Sequence, residues 1–248
     1  MNTLSLRPIP RHIEFLNDYQ MSNYYWEQAY PSMQVDDLFY REQPVTPMIS
    51  VTAKGISQCL EFIQACEKRG HLQHYNHRNQ LSGDLKVRQA FDGKIGEIVA
   101  ARTIIASVPL IRGVDLNVYD PEQKNWNSDL IARNFRFAVK THNVDMRREW
   151  PSWVFQNEDE EVFQKRHKNT IVVFVLCDNQ NPLGMNRCCR GRVMAFAWLK
   201  DLHDRRLFGN MRNEKFHMDR NGKKAVYLQA LEQEGMICDL NTVLKRRV

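Results

Sequence analysis

The chain lacks any apolar run long enough to cross a lipid bilayer. Its longest nearly apolar stretch, TIVVFVLC, covers only residues 170–177, whereas a membrane-spanning helix needs about 20 such residues. The opening segment, MNTLSLRPIPRHIEF, has no apolar core of the kind found in secretory signal peptides. These absences predict a cytoplasmic protein without a membrane partner.

The CxxC spacing of redox motifs and of many zinc sites is also absent. The six cysteines include the adjacent pair Cys188 and Cys189, around which no complete set of metal-ligand spacings is found. His71, His74 and His77 recur at a spacing of three residues in a polar segment. A metal site at either place is less expected than solvated histidines and free thiols in a reducing compartment, which is how we interpret them.

Positive charge, by contrast, is in excess. The chain has 35 lysines and arginines against 29 aspartates and glutamates, which gives a net charge of +6 and an isoelectric point of about 9.0. A basic excess favours an anionic partner, such as nucleic acid or a membrane surface. The segments EKRG, RREW, KRHK and LKRR are candidate phosphate contacts, although each is also typical of a solvated surface.

Hydrophobic periodicity predicts an α/β fold. We expect two helices, then three strands, a third helix and two further strands. In that order, the predicted ranges are 55–70, 84–106, 110–120, 128–132, 135–142, 151–168, 170–178 and 191–202. This order of elements predicts a mixed sheet of about five strands with helices packed against it.

A lysine interrupts the strand pattern of FRFAVKTH. Ala138 and Lys140 share one face of this predicted strand, opposite an apolar face. A lysine here is costly to bury unless an acid pairs with it. The two-residue link that precedes the strand predicts an antiparallel hairpin, which places Asp129 beside Ala138 or Lys140. Such a pair is either an ordinary salt bridge or part of a functional site.

A second acid, Glu97, lies in the helical segment GKIGEIVA among Ile95, Ile98 and Val99. This position is near the apolar side of the helix, where an unpaired glutamate would be unfavourable, although an exposed glutamate is the ordinary alternative. Two carboxylates can hold a hard cation such as Mg²⁺, and a lysine can stabilise phosphoryl charge. Glu97, Asp129 and Lys140 together therefore indicate a metal and phosphate site.

These features resemble the PD-(D/E)XK nuclease superfamily, which has the restriction-endonuclease-like fold. The resemblance is carried by the GxxGE-like helix GKIGEIVA, the aspartate of NSDLIA and the strand ending in FAVK. WPSWVFQ is similar to the helix after the catalytic hairpin, and TIVVFVLCD and RVMAFAWL to the closing strands. The resemblance implies a Mg²⁺-dependent enzyme, with Mn²⁺ as a substitute, that hydrolyses phosphodiester bonds of DNA. It implies that Asp129 binds metal, that Lys140 is catalytic and that Glu97 is a helix acid.

The chain departs from the family pattern at Ala138, where the family has a second acid two residues before the lysine. Either Glu97 completes the site with the backbone carbonyl of Ala138 as a further metal ligand, or catalysis has been lost. Asp115 and Asp120 are alternative carboxylates. Gln156 resembles a glutamine that some relatives place near the site.

The expected organisation is a nuclease core with two additions. Residues 1–83 form a mostly helical and loop region for DNA recognition, residues 84–202 the core, and residues 203–248 a basic region packed on it. Double-stranded DNA is the expected partner, and a homodimer is compatible with these features. A restriction-type enzyme or a nuclease of a phage or mobile element fits this organisation. The alternatives are an inactive nuclease-like protein that binds DNA and a scaffold in which Lys140 is only structural.

Overall fold

A computed structural model describes residues 46–70, 83–119, 129–143, 152–155, 169–180, 188–210 and 224–246. The strands are β1 (Ile49–Ser50), β2 (Leu110–Arg112), β3 (Leu130–Ala132), β4 (Arg136–Asn143), β5 (Ser152–Phe155), β6 (Thr170–Gln180), β7 (Cys188–Trp198), β8 (Gly209–Asn210) and β9 (Lys224–Tyr227). The helices are α1 (Ala53–Lys68), α2 (Gly83–Ile105), α3 (Leu199–Asp204), α4 (Leu228–Gln233) and α5 (Leu240–Lys245). None of the helices in these ranges combines the length and the apolar character that a membrane span requires.

The predicted α/β class with a mixed sheet is confirmed. Six strands form the main sheet in the order β1-β7-β6-β4-β3-β2, and β5-β9-β8 form a second sheet. In the main sheet β4 and β6 run parallel, while the other neighbours are antiparallel. The predicted hairpin is formed by β3 and β4, in which Leu130 pairs with Phe137.

The main sheet separates two apolar cores because side chains alternate along its central strand, β6. Ile171, Val173 and Val175 belong to the first core, which also contains the buried faces of α1, α2 and α5. Val172 and Phe174 belong to the second core, which the second sheet, α3 and α4 complete. Helices therefore flank the sheet on both faces.

Helix α2 lies directly against β4. A Cβ atom at Gly96 would collide with the side chain of Thr141, so only glycine permits this approach. One turn earlier, the buried Asp92 carboxylate accepts hydrogen bonds from Asn143 at 3.0 Å and from Asn179 at 2.7 Å. These contacts hold α2 at a fixed position along β4 and β6, and so fix where its other side chains lie.

The predicted helices at 55–70 and 84–106 are confirmed as α1 and α2. The side chain of Thr52 caps α1 by accepting a hydrogen bond from the Gly55 amide at 3.2 Å. Gly70 follows the end of α1 with a φ of 69°, a conformation in which glycine is favoured.

Three predicted elements need correction. The helix at 151–168 is wrong at its start, because residues 152–155 form β5, which pairs with β9. Trp153 and Phe155 alternate there and are both buried in the second core, so burial on one strand face prevails over helical spacing. The strand at 110–120 ends at Arg112, and the strand at 191–202 divides into β7 and α3.

Candidate active site beside strand β4

Asp129 lies immediately before β3, at the edge of β4. The pairing of Leu130 with Phe137 places Asp129 level with Ala138, which is the position that the hairpin predicts. Its carboxylate Oδ2 accepts a hydrogen bond from the Val139 amide at 2.7 Å. This is a short, charge-assisted bond that fixes Asp129 in the plane of the sheet.

One backbone carbonyl of β4 points to the same side as Asp129. The amide and carbonyl of one strand residue point to the same side, and neighbouring residues point to opposite sides. The Arg136 amide donates to Asn169 at 3.0 Å on the β6 side, so the carbonyl of Ala138 also faces β6. The carbonyl of Val139 faces Asp129 instead. The backbone ligand predicted at Ala138 is therefore better placed at Val139.

Glu97 is buried, with an exposed fraction of 8%. Both of its carboxylate oxygens accept hydrogen bonds from the Lys94 ammonium, at 2.8 and 2.9 Å. The Lys94 Nζ also lies 5.2 Å from the ring centroid of Phe62 on α1. The sequence GKIGE contains this lysine three residues before Glu97, a spacing at which helical side chains meet and a signal that could have identified the pair.

Four charged groups act on one another here, and we call them the carboxylate cluster: Glu97, Asp129, Asp115 and Lys94. Burial raises the pKa of Glu97 to about 8, and the negative charges of Asp129 and Asp115 add to this effect, while Lys94 opposes it. Burial by itself would lower the pKa of Lys94, but the three carboxylates outweigh burial and raise it. The cluster is a region of concentrated negative charge with one internal cation.

Asp115 belongs to the cluster by charge, but its oxygens have other partners. It accepts hydrogen bonds from the backbone and side-chain amides of Asn117, both at 3.0 Å, and from the Tyr119 hydroxyl at 2.8 Å. Although burial would raise the pKa of Asp115, these hydrogen bonds and Lys94 lower it. The segment after β2 is also tied to α1, because Arg69 donates to the Val118 carbonyl at 3.2 Å. Asp115 is therefore fixed by its own hydrogen bonds and adds negative charge near Glu97.

Lys140 leaves β4 on the opposite face. Its Nζ lies 4.7 Å from the ring centroid of Phe155 in the second core, whereas α2 and Glu97 lie on the face of Phe137 and Val139. The structure therefore places Glu97, Asp129 and Asp115 in one electrostatic neighbourhood, and Lys140 extends toward Phe155 on the other face of β4. Asp129 stands between the two faces, at the edge.

Among the residues that the structure describes, no three histidine, cysteine, aspartate or glutamate side chains already form a metal-binding group. Glu97 is hydrogen-bonded to Lys94, Asp115 to Asn117 and Tyr119, and Asp129 to the Val139 amide. The predicted residues Gln156 and Asp120, and the histidines at 71, 74 and 77, lie outside the described ranges.

Five cysteines are buried free thiols: Cys59, Cys66, Cys177, Cys189 and Cys238. Burial raises the pKa of Cys59, which faces α2 from α1, to about 12, with Glu97 adding to the effect. Burial likewise raises the pKa of Cys177 well above its usual value, with a contribution from Asp92. Both thiols are therefore poor nucleophiles, so they are packing residues rather than catalytic ones.

No family model matches the chain, and no curated protein or solved structure matches it significantly.

Proposed function

We propose that the chain is a Mg²⁺-dependent endodeoxyribonuclease of the PD-(D/E)XK type, which hydrolyses phosphodiester bonds in double-stranded DNA. The observation that supports this best is the position of Asp129. Its carboxylate is bonded to the amide of Val139, the residue between Ala138 and Lys140, and it shares an electrostatic neighbourhood with the buried Glu97. Glu97 and Lys140 lie on opposite faces of β4, and Asp129 lies at the strand edge between them. This arrangement is suited to a phosphate bound at that edge.

The donor atoms fit a hard divalent cation. The carboxylates of Asp129 and Glu97 and the carbonyl of Val139 would hold Mg²⁺ or Mn²⁺, since both prefer oxygen ligands. The bound metal would supply a water of lowered pKa and neutralise phosphoryl charge. The hydrogen bond from the Val139 amide to Oδ2 of Asp129 would fix the orientation of this carboxylate in the site. A bound cation would favour the ionised form of Glu97, which would then supply the negative charge that Ala138 does not.

Lys140 would act on the phosphate from the other face. Its position over Phe155 holds the ammonium beside an aromatic ring, a favourable but weak interaction. A lysine side chain is long and flexible, so it can exchange this contact for a phosphate oxygen at the edge of β4. There it stabilises the charge that develops during hydrolysis.

The decisive experiment is incubation of supercoiled plasmid with the protein in the presence of Mg²⁺, of Mn²⁺ or of a chelator, followed by mapping of the DNA ends. Metal-dependent nicking or linearisation supports the proposal. Cleavage that persists in the chelator, or that is unchanged when both Asp129 and Lys140 are replaced, would contradict it.

A second candidate is an inactive nuclease-like protein that binds DNA. The absence of a side-chain ligand at Ala138 favours it, as does the occupation of both Glu97 oxygens by Lys94. Under this proposal the plasmid stays intact with either metal, while DNA binding remains strong at low salt and weakens steeply as salt is raised. If the protein neither cleaves DNA nor binds it in a salt-sensitive way, the remaining alternative is a scaffold in which Lys140 is only structural.

A further inference from the structure

We propose that the Lys94 ammonium is an internal counter-ion that occupies the cation position of the carboxylate cluster and competes with a divalent metal ion for it. The inference rests on the proposed function, because the metal ion is the one that the nuclease reaction needs. Under this proposal, Lys94 determines the concentration of divalent metal ion at which the carboxylate cluster becomes occupied.

The contact with Glu97 is the first reason. The Lys94 Nζ lies 2.8 and 2.9 Å from the two carboxylate oxygens of Glu97 and so uses both of them. A metal ion that took either oxygen would have to displace a charge-assisted hydrogen bond. An ammonium that stayed beside a divalent cation would also be repelled by it. The two cations therefore exclude each other at Glu97.

The position of Lys94 within the cluster is the second reason. Its ammonium interacts with Asp129 and Asp115 as well as with Glu97, which is the set of acids that a metal ion at this site would face. The side chains of Lys94 and Glu97 are only 18% and 11% exposed. Removal of one partner from such a largely buried pair leaves the other group without compensation. Lys94 is thus the cation that faces Glu97 in the structure.

Removing the ammonium should therefore tighten metal binding. In Lys94→Met the side chain keeps an apolar stem of similar length but has no charge, so the metal no longer displaces a charged hydrogen bond. We expect Mg²⁺ and Mn²⁺ to bind about tenfold to a hundredfold more tightly, which is the range that one hydrogen bond to a charged group represents. A purely structural lysine that orients Glu97 for the metal predicts the opposite sign, that is, weaker binding.

Two further variants make the sign of the effect decisive. Lys94→Arg retains the charge and offers a planar fork that pairs with both oxygens of a carboxylate, so it should bind metal no more tightly than the wild type. Lys54→Met is the matched control, because it removes the same charge from an exposed position on α1 and should leave metal affinity unchanged. If Lys94→Met does not fold, Lys94→Gln and Lys94→Arg still test the order of affinities.

The measurement is calorimetric titration of each folded variant with MgCl₂ or MnCl₂ alone, without DNA, at several pH values so that proton release from Glu97 is subtracted, together with the rise of Tm with metal concentration. The inference is supported if affinity follows the order Lys94→Met above wild type, with Lys94→Arg at or below wild type. It is overturned if Lys94→Met binds either metal as weakly as the wild type or more weakly, or if none of the proteins binds metal.

Plasmid cleavage separates this inference from the proposed function. If Lys94→Met tightens metal binding but no variant cleaves DNA, the competition is real and the nuclease proposal fails. If the wild type cleaves DNA but Lys94→Met shows no gain in metal affinity, the nuclease proposal stands and the role assigned to Lys94 is wrong.

Discussion

The raised pKa of Glu97 makes a quantitative prediction about stability. In the folded protein the pKa is about 8 instead of the usual 4.5. The unfolded chain therefore releases this proton at lower pH than the folded one, so the stabilising contribution is complete below pH 4.5 and is lost as the pH rises through about 8. Each pH unit between these values corresponds to about 1.4 kcal/mol, so the whole window represents roughly 5 kcal/mol as an upper bound.

The substitution Glu97→Gln isolates this contribution, because glutamine stays neutral at every pH. We expect the free energy of unfolding of the variant, relative to the wild type, to rise by about 3 kcal/mol between about pH 5.5 and about pH 8.5. Urea denaturation at both pH values measures it. Glu61→Gln, at an exposed position on α1, is the control and should show a much smaller dependence. A relative stability of Glu97→Gln that is the same at both pH values would refute the assignment of Glu97 as a buried acid.

Magnesium adds a second observable to the same experiment. A bound divalent cation favours the ionised form of Glu97, so saturating Mg²⁺ should flatten the pH dependence of wild-type stability and leave Glu97→Gln nearly unaffected. Cleavage of plasmid by Glu97→Gln should fall by at least about a hundredfold, the lower end of what loss of one electrostatic contributor costs. If Glu97→Gln cleaves plasmid at the wild-type rate, Glu97 is not part of the active site.

The remaining predictions concern Lys140, Asp129 and the DNA. Lys140→Ala should abolish plasmid cleavage while DNA binding stays nearly intact, and nicking at a near wild-type rate would contradict its role. Asp129→Asn should abolish cleavage and weaken Mg²⁺ binding in a calorimetric titration, because an amide is a poorer ligand for a hard cation. The logarithm of DNA affinity should fall with the logarithm of salt concentration with a slope of roughly −3.6 or steeper, since we expect at least about four phosphate contacts at about 0.9 each; a slope near zero would exclude nucleic acid as the partner.

The helices and the hairpin could be predicted because their signals are local. The apolar stripe of α2 and the strict alternation of β4 indicate their structure without any knowledge of neighbouring elements. The position of Asp129 followed from the short link between β3 and β4, since a hairpin fixes its register within a few residues. The parallel pairing of β4 with β6 brings together segments separated by the whole of β5, and no local pattern states it.

The second sheet could not be predicted, because it depends on distant partners. Residues 152–155 carry a pattern that Pro151 makes suitable for the start of a helix. They form β5 because β9, about seventy residues later, offers a strand edge and the second core offers space for Trp153 and Phe155. The same limit applies to Lys140, whose place over Phe155 depends on this unpredicted strand.

The pairing of Lys94 with Glu97 was within reach of the sequence but was missed. Their spacing of three residues on a helix favours contact, yet spacing alone does not show that the pair is buried. Burial follows from the close approach of α2 to β4 at Gly96 and from the hydrogen bonds of Asp92. Both are tertiary contacts, so the electrostatic consequences at Glu97 could not be derived from the sequence.

The burial of Ala138 gives a physical reason why no acid stands two residues before Lys140. Ala138 is only 2% exposed, pairs with Val172 of the second core and points to the same face as Lys140. A carboxylate at this position would lose its hydration against apolar neighbours. On the other face of β4, Gly96 lets α2 approach closely, and the negative charge of Asp129 acts on the buried Glu97. The chain thus has Asp129 at the edge of β4 and the buried Glu97 on α2, where Lys94 is its hydrogen-bonded partner; under the proposed function a divalent cation would replace that ammonium.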